Sequence, residues 1–228
     1  MTVPRPSTGI AQDIAVHDLG GEGRTALYAH ATGFHGHCWK PVADHLPDLH
    51  NIAYDARGHG ESLLGPEWEV ADTVDWRVYG ADAAAVATEL QHDGPVIGVG
   101  HSMGGAALLM AALDHPEQFS GLVVYEPIAM PRDATPRAAN DHALAIGARK
   151  RRAAFASFED AIANYRSKPP LNVFAADSME MYVRNGFAPG ADGQVHLKCR
   201  PEHEARTYEA AGASIDEVEL IQHVKSTL

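Results

Sequence analysis

The run Val96-Ile97-Gly98-Val99-Gly100-His101-Ser102-Met103-Gly104-Gly105, continuing through Ala106 to Leu113, constrains this chain more than any other stretch. A short Val/Ile-rich run reads as a buried strand, and an Ala/Leu-rich segment of helical length follows at once. G-x-S-x-G lies at the junction. A strand that turns into a helix within a few residues strains the backbone of the middle residue. A Cβ two residues before or after would collide across the turn, so both places need glycine. The Ser102 hydroxyl is then held in the open at a helix N-terminus, where the dipole and the free N–H of the next residue favour negative charge. That is where a nucleophile belongs. The plainer alternative, a Gly/Ser turn, leaves both flanks and two upstream segments unexplained.

Upstream, Ile14 to Leu19 alternates weakly and stops at Gly20-Gly21, which predicts an edge strand and a turn. Thr25 to Ala31 predicts a strand buried on both faces, leading into the Gly/His-rich loop 32–37. A short helix is predicted from Trp39 to Leu46, then a strand at Asn51–Tyr54 and the loop Asp55-Ala56-Arg57-Gly58-His59-Gly60-Glu61-Ser62. Asp72 to Gln91 predicts a long helix whose packing face is Val74, Val78, Ala81, Ala85 and Thr88. Gly121 to Tyr125 predicts a further buried strand, ending at Glu126-Pro127. Strands alternating with helices imply an α/β fold, with a mostly parallel sheet and helices on both faces.

After Pro127 the rhythm becomes helical. Helices are expected at Arg132–Phe155, from a cap at Ser157 to Pro169-Pro170, at Asp177–Asn185 and at Pro201–Ala211, with a short strand at Gln194–Cys199. A last helix is expected from Ser214 to about His223. This divides the chain into a core (1–128), a helical lid or cap (129–212) and a return to the core (213–228).

With these segments in place the chain resembles the α/β-hydrolase superfamily, and its lid-bearing serine esterase-like branch in particular. The resemblance rests on His30-Ala31-Thr32-Gly33-Phe34, on Asp55 to Ser62 and on Gly98 to Gly105, in that order. The family usually has His-Gly where this chain has His30-Ala31. The resemblance implies that Ser102 attacks an acyl carbon and that the N–H groups of Thr32 and Met103 form the oxyanion hole. It also implies substrate contacts from Phe34 and His101. Glu126, at the end of the strand after the elbow helix, is a candidate triad acid; the alternative is a carboxylate that hydrogen-bonds the turn at Pro127. The family takes its catalytic histidine from after the last strand. The expectation is therefore that two strands with their helices, roughly 40–60 residues at typical element lengths, and the histidine with them, lie beyond residue 228. His142, His196 and His203 are expected to be exposed lid histidines. The rival reading is a catalytically incomplete remnant with only a binding pocket.

Composition narrows the partners. A net charge of −12 argues against nucleic acid or an anionic membrane. Two cysteines, Cys38 and Cys199, suit a reducing compartment, and Met1 to Ala11 lacks the apolar stretch of a signal peptide, so the cytoplasm is expected. A small acyl compound is the expected partner and no cofactor is called for. An uncovered sheet edge would favour a homo-oligomer. His30, His35, His37 and Cys38 could suggest a metal, but no carboxylate completes a ligand pattern, so no metal is expected. Arg149 to Arg152 reads as a solvated helix face with a subset available to an anionic substrate. Phe155, Phe158, Phe174, Tyr182 and Phe187 either line an acyl pocket or pack the lid onto the core.

Overall fold

The computed structural model describes residues 2–4, 13–62, 75–91, 94–128 and 143–211. Six strands, β1 (Thr2–Pro4), β2 (Asp13–Gly20), β3 (Arg24–Ala29), β4 (Leu49–Tyr54), β5 (Val96–His101) and β6 (Phe119–Tyr125), form one sheet in the order β1-β2-β4-β3-β5-β6. The pairs among β3, β4, β5 and β6 are parallel, and β1 and β2 join antiparallel. Along β3 the side chains alternate between two cores. Leu27 and Ala29 face helices α2 (Arg77–Glu89) and α3 (Met103–Asp114), while Ala26 and Tyr28 face the short helix α1 (Lys40–Ala43). Helices thus cover both faces, and the loops that matter leave from the carboxyl ends of β3, β4 and β5.

Three expectations about this sheet change. β2 is not an edge strand, because β1 pairs on its outer side. β6 is not buried: Val123 is 62% and Tyr125 64% exposed, since no strand among the described residues pairs with its outer edge. In α2, Ala81 and Thr88 face solvent, and the buried face is Tyr79, Asp82, Ala83, Val86 and Ala87. An alanine-rich helix offers two apolar faces of equal quality. An aromatic ring and a buried ion pair pick the one that packs. Asp72 and Val74 lie outside the described residues, as does the segment from Ser214 to His223.

A second group of elements sits over the carboxyl ends of the strands: α4 (Ala143–Arg149), β7 (Ala154–Phe155), α5 (Phe158–Arg166), α6 (Ala176–Gly186), β8 (Phe187–Pro189), β9 (Val195–Leu197) and α7 (Pro201–Ala210). The helix expected through Phe155 ends at Arg149 instead, and Ala154–Phe155 joins β9 and β8 in a small antiparallel sheet, order β7-β9-β8. Strands of two and three residues are too short to show alternation. Ser157 caps α5 as expected, accepting from the Asp160 N–H at 3.1 Å. Phe155, Met179, Tyr182, Val183 and Phe187 build a separate core here, with Phe34 and Cys38 of the loop after β3 packed against it. α7 ties back to the sheet layer: the Trp76 indole N–H donates to the Thr207 carbonyl at 3.0 Å.

The loop after β4 is fixed by charge. Arg57 and Asp82 are both fully buried, and the guanidinium donates twice to the carboxylate, at 2.7 Å from Nε and 2.6 Å from Nη2. Removing one member leaves a buried charge unpaired, which typically costs about 3–5 kcal/mol. Asp82→Ala is therefore expected to lower unfolding stability in urea by that amount; a loss below about 1 kcal/mol would contradict the assignment.

Candidate active site

Ser102 adopts φ 54°, ψ −117°, between the last residue of β5 and the first of α3. An L-residue reaches this region only under constraint, at a cost of about 1–3 kcal/mol. The surroundings supply the constraint. A Cβ on Gly100 would lie 2.7 Å from the Gly105 Cα, and one on Gly104 would lie 2.6 Å from the His30 carbonyl oxygen. The first is the expected collision across the turn. The second is against the end of β3, so Gly104 is needed for sheet packing rather than for the turn itself. The Ser102 N–H donates to the Tyr125 carbonyl at 3.0 Å, fastening the turn to the end of β6. Serine at a helix N-cap ordinarily spends its hydroxyl on the helix N–H groups; here it makes no cap bond. The hydroxyl is left available, partly exposed.

Thr32 and Met103, both buried, bring their N–H groups from the end of β3 and the start of α3. Met103 opens its helix, so its N–H has no intrahelical acceptor. In the turn 31–34 the Phe34 N–H donates to the Ala31 carbonyl at 3.1 Å and the Gly33 N–H to His59 Nε2 at 3.0 Å. The Thr32 N–H takes no part in those bonds. Two histidines stiffen this loop. His59 donates from Nδ1 to the Arg57 carbonyl at 3.0 Å, and His30 donates from Nδ1 to the Ala31 carbonyl at 2.8 Å while its Nε2 accepts the Ala56 N–H at 2.9 Å. These bonds assign the neutral Nδ1–H tautomer to both rings. Tyrosines of the second element group hold the same loop from above, Tyr208 on the Thr32 carbonyl and Tyr182 on the Gly33 carbonyl, each at 3.4 Å.

Two cavities lie beside the loop after β3, and the smaller also reaches the elbow at His101. One, of about 300 Å³, is lined by His30, Phe34, Cys38, His101 and Phe174 among others. The other, of about 450 Å³, begins at Thr32, Gly33 and Phe34. Phe34 borders both and His101 borders the first, so both residues read as substrate contacts do line a cavity. Ser102 itself lines neither. Of the five aromatics weighed as an acyl pocket, Phe155 and Phe187 are instead buried in the second core, while Phe174 faces the smaller cavity and Tyr182 the larger. Burial pushes the Cys38 thiol up to about 12, which keeps it out of nucleophilic chemistry.

Glu126 is exposed, and its φ of 45° makes it, with Ser102, one of two non-glycine residues with positive φ among the described residues. No described group hydrogen-bonds its carboxylate, so the expected bond to the turn at Pro127 is absent. Its charge reaches His101, whose pKa burial lowers and Glu126 raises by less. Among the described residues no histidine hydrogen-bonds the Ser102 hydroxyl. His203 is not an exposed lid histidine: it is buried against the Arg57 carbonyl, at 3.2 Å. His196 is partly exposed and pairs with Asp192; His142 lies outside the described residues.

A family model described as the alpha/beta hydrolase family matches residues 26–216. This chain is an alpha/beta hydrolase. The hydrolase is 37% identical over 116 residues to the lipase LipV of Mycobacterium tuberculosis, covering 50% of this chain and 42% of that one. It is 33% identical over 114 residues to monoglyceride lipase of Homo sapiens, covering 47% and 36%. The chain thus spans less than half the length of the curated relatives it matches. Among solved structures, an esterase from Thermogutta terrifontis superposes with TM-score 0.65 at 22% identity, covering 96% of this chain and 74% of that one. An E-2-(acetamidomethylene)succinate hydrolase gives 0.68 at 23%, covering 92% and 72%. At these identities the structures speak for the fold. No helix among the described residues is long and apolar enough to cross a membrane.

Sequence reasoning found the hydrolase's elbow and loops but missed their supports. Asp55 is one: its carboxylate accepts the Gly36 N–H at 2.6 Å, the Glu61 N–H at 2.8 Å and His17 Nε2 at 2.8 Å. Burial pushes its pKa up, and the His17 bond, charge and backbone N–H together bring it well below the usual range. Burial also lowers His35 and His203 to about 4 and His59 well below its ordinary 6.5. These rings are neutral in the fold and take up protons below pH 6.5 when unfolded. Their contribution is present above pH 6.5 and is lost as pH falls toward 4, by up to about 1.4 kcal/mol per ring per pH unit. Urea unfolding at pH 7, 6, 5 and 4 is expected to show a steep loss through that window, shallower in His203→Asn. Stability that stays flat to pH 4.5 would contradict the neutral assignment.

Proposed function

We propose that this alpha/beta hydrolase is a serine hydrolase of small ester, thioester or related acyl substrates. Ser102 Oγ attacks the acyl carbon, the alcohol or thiol leaves with the proton, and water then hydrolyses the acyl-enzyme. The observation that carries this reading is the Ser102 backbone at φ 54°, ψ −117°, with its hydroxyl unspent on the helix it begins. The Thr32 and Met103 N–H groups would hold the developing oxyanion, each worth about 3 kcal/mol in comparable sites. Phe34 and His101 would contact the substrate, and the elements from α4 to α7 would serve as the cap. Glu126, at positive φ beside the elbow and without a hydrogen bond among the described residues, is the proposed acid.

The base is assigned outside the described residues. His30, His35, His59 and His203 each give a ring nitrogen to a backbone carbonyl and are pushed toward neutrality by burial. A second reading, a hydrolase fold that binds its ligand without turning it over, is favoured by the same lack of a described histidine on Ser102.

Fluorophosphonate labelling and aryl-ester hydrolysis separate the two. In a protein that carries the base, Ser102 is expected to be labelled, and Ser102→Ala to lose at least about 10³-fold in kcat/KM. Turnover that survives Ser102→Ala would overturn the nucleophile. Neither label nor turnover in a protein that carries the base would establish the binding-only reading.

A further inference from the structure

The larger cavity differs in charge from the rest of the protein. It runs from Thr32 and Gly33 to the end of α4 and the turn after α5, and Lys150, Arg151, Arg152 and Lys168 line it against one carboxylate, Glu204. The whole chain has a net charge of −12. A concave surface lined by one sign of charge concentrates the opposite ion, and this one does so against the sign of the protein around it.

The four cations are not equivalent. Arg151 is part of the wall: its guanidinium bonds Glu204, the Tyr182 hydroxyl and, at 3.1 Å, the Tyr165 hydroxyl. Arg152 lies over the Phe155 ring at 4.4 Å and donates Nε to the Ala154 carbonyl at 2.8 Å. The ammonium groups of Lys150 and Lys168 have no hydrogen bond or ion pair with a described residue. They reach the cavity from two different elements, one following α4 and one following α5. Leu144, Leu171 and Phe34 supply an apolar stretch within the same cavity. Thr32, the residue whose N–H the hydrolase reading gives to the acyl oxygen, lines the same cavity.

The geometry points to an acyl substrate that carries a carboxylate at the far end of a short apolar chain, such as a half-ester or half-thioester of a dicarboxylic acid, with Lys150 and Lys168 as the residues that select it. This rests on the hydrolase reading for the place of the scissile carbonyl. The distal carboxylate is recognised and takes no part in bond making or breaking.

The test compares p-nitrophenyl hemiglutarate with p-nitrophenyl valerate, acyl groups of equal chain length that differ in the terminal charge. At low salt the anionic ester is expected to have a kcat/KM at least about 10-fold higher, a preference that shrinks as ionic strength rises. The ratio should fall about 10-fold in Lys150→Ala/Lys168→Ala and return in Lys150→Arg/Lys168→Arg, since both positions are exposed and the charge is what matters. A second arm needs no turnover. Monomethyl glutarate should bind the Ser102→Ala protein by calorimetry, and the two lysine-to-alanine changes should abolish that binding. A ratio of one or less, a ratio unmoved by the lysine changes, or no binding to Ser102→Ala would overturn the proposal. If neither ester is hydrolysed, the hydrolase reading fails and the calorimetric arm alone decides the charge recognition.

Discussion

The whole arrangement depends on one steric constraint: a central strand and a helix joined by a single residue. That residue, Ser102, is pushed to positive φ because β5 ends at His101 and α3 begins at Met103. No room remains for a relaxed turn. The parts that tolerate this strain are spread over the sheet. Gly100 allows the helix to approach, Gly104 allows it to lie against the end of β3, and the carbonyl of Tyr125 at the end of β6 accepts the serine N–H. Three strands therefore fix one hydroxyl. Strain of this kind persists only where the surrounding fold over-determines it.

The loops that complete the site are stiffened without charge. His30 and His59 act as neutral acceptors for backbone N–H groups in the neighbouring loops, and Tyr182 and Tyr208 donate to the carbonyls of Gly33 and Thr32. Two charged devices lie one layer out, the Arg57–Asp82 pair and the Asp55 carboxylate with its three bonds. Keeping the imidazoles neutral adds no charge of theirs to the amide field at Thr32 and Met103, and the neighbouring Arg151 guanidinium is itself paired with Glu204. An oxyanion would then meet preorganised dipoles, which require no rearrangement when charge develops.

How much of this was legible in the sequence follows from how local each cause is. The elbow was readable because its steric demands fall on glycines within three residues of Ser102. The order of strands and helices was readable because β3 and β5 are buried runs and Ser157 is a local cap. The α2 face was not, since Ala81 and Ala83 are chemically the same and only the contact of Asp82 with Arg57, 25 residues away, decides between them. β9 lies within the strand expected at Gln194–Cys199, whereas β7 and β8, of two and three residues, are too short to show alternation. Sequence pattern flagged His30 and His59 as loop residues, yet their work is to accept N–H groups 26 positions distant, and spacing carries no trace of that.

The central claim is that the Ser102 hydroxyl stands beside two amides aimed at one point. A crystal structure of the protein carrying a phosphonate bound to Ser102 Oγ tests it most directly. The account predicts a phosphonyl oxygen within about 2.7–3.1 Å of both the Thr32 and Met103 nitrogens, with Ser102 still at positive φ. A phosphonyl oxygen turned to solvent, or a Ser102 relaxed to an ordinary helical or extended backbone, would contradict it.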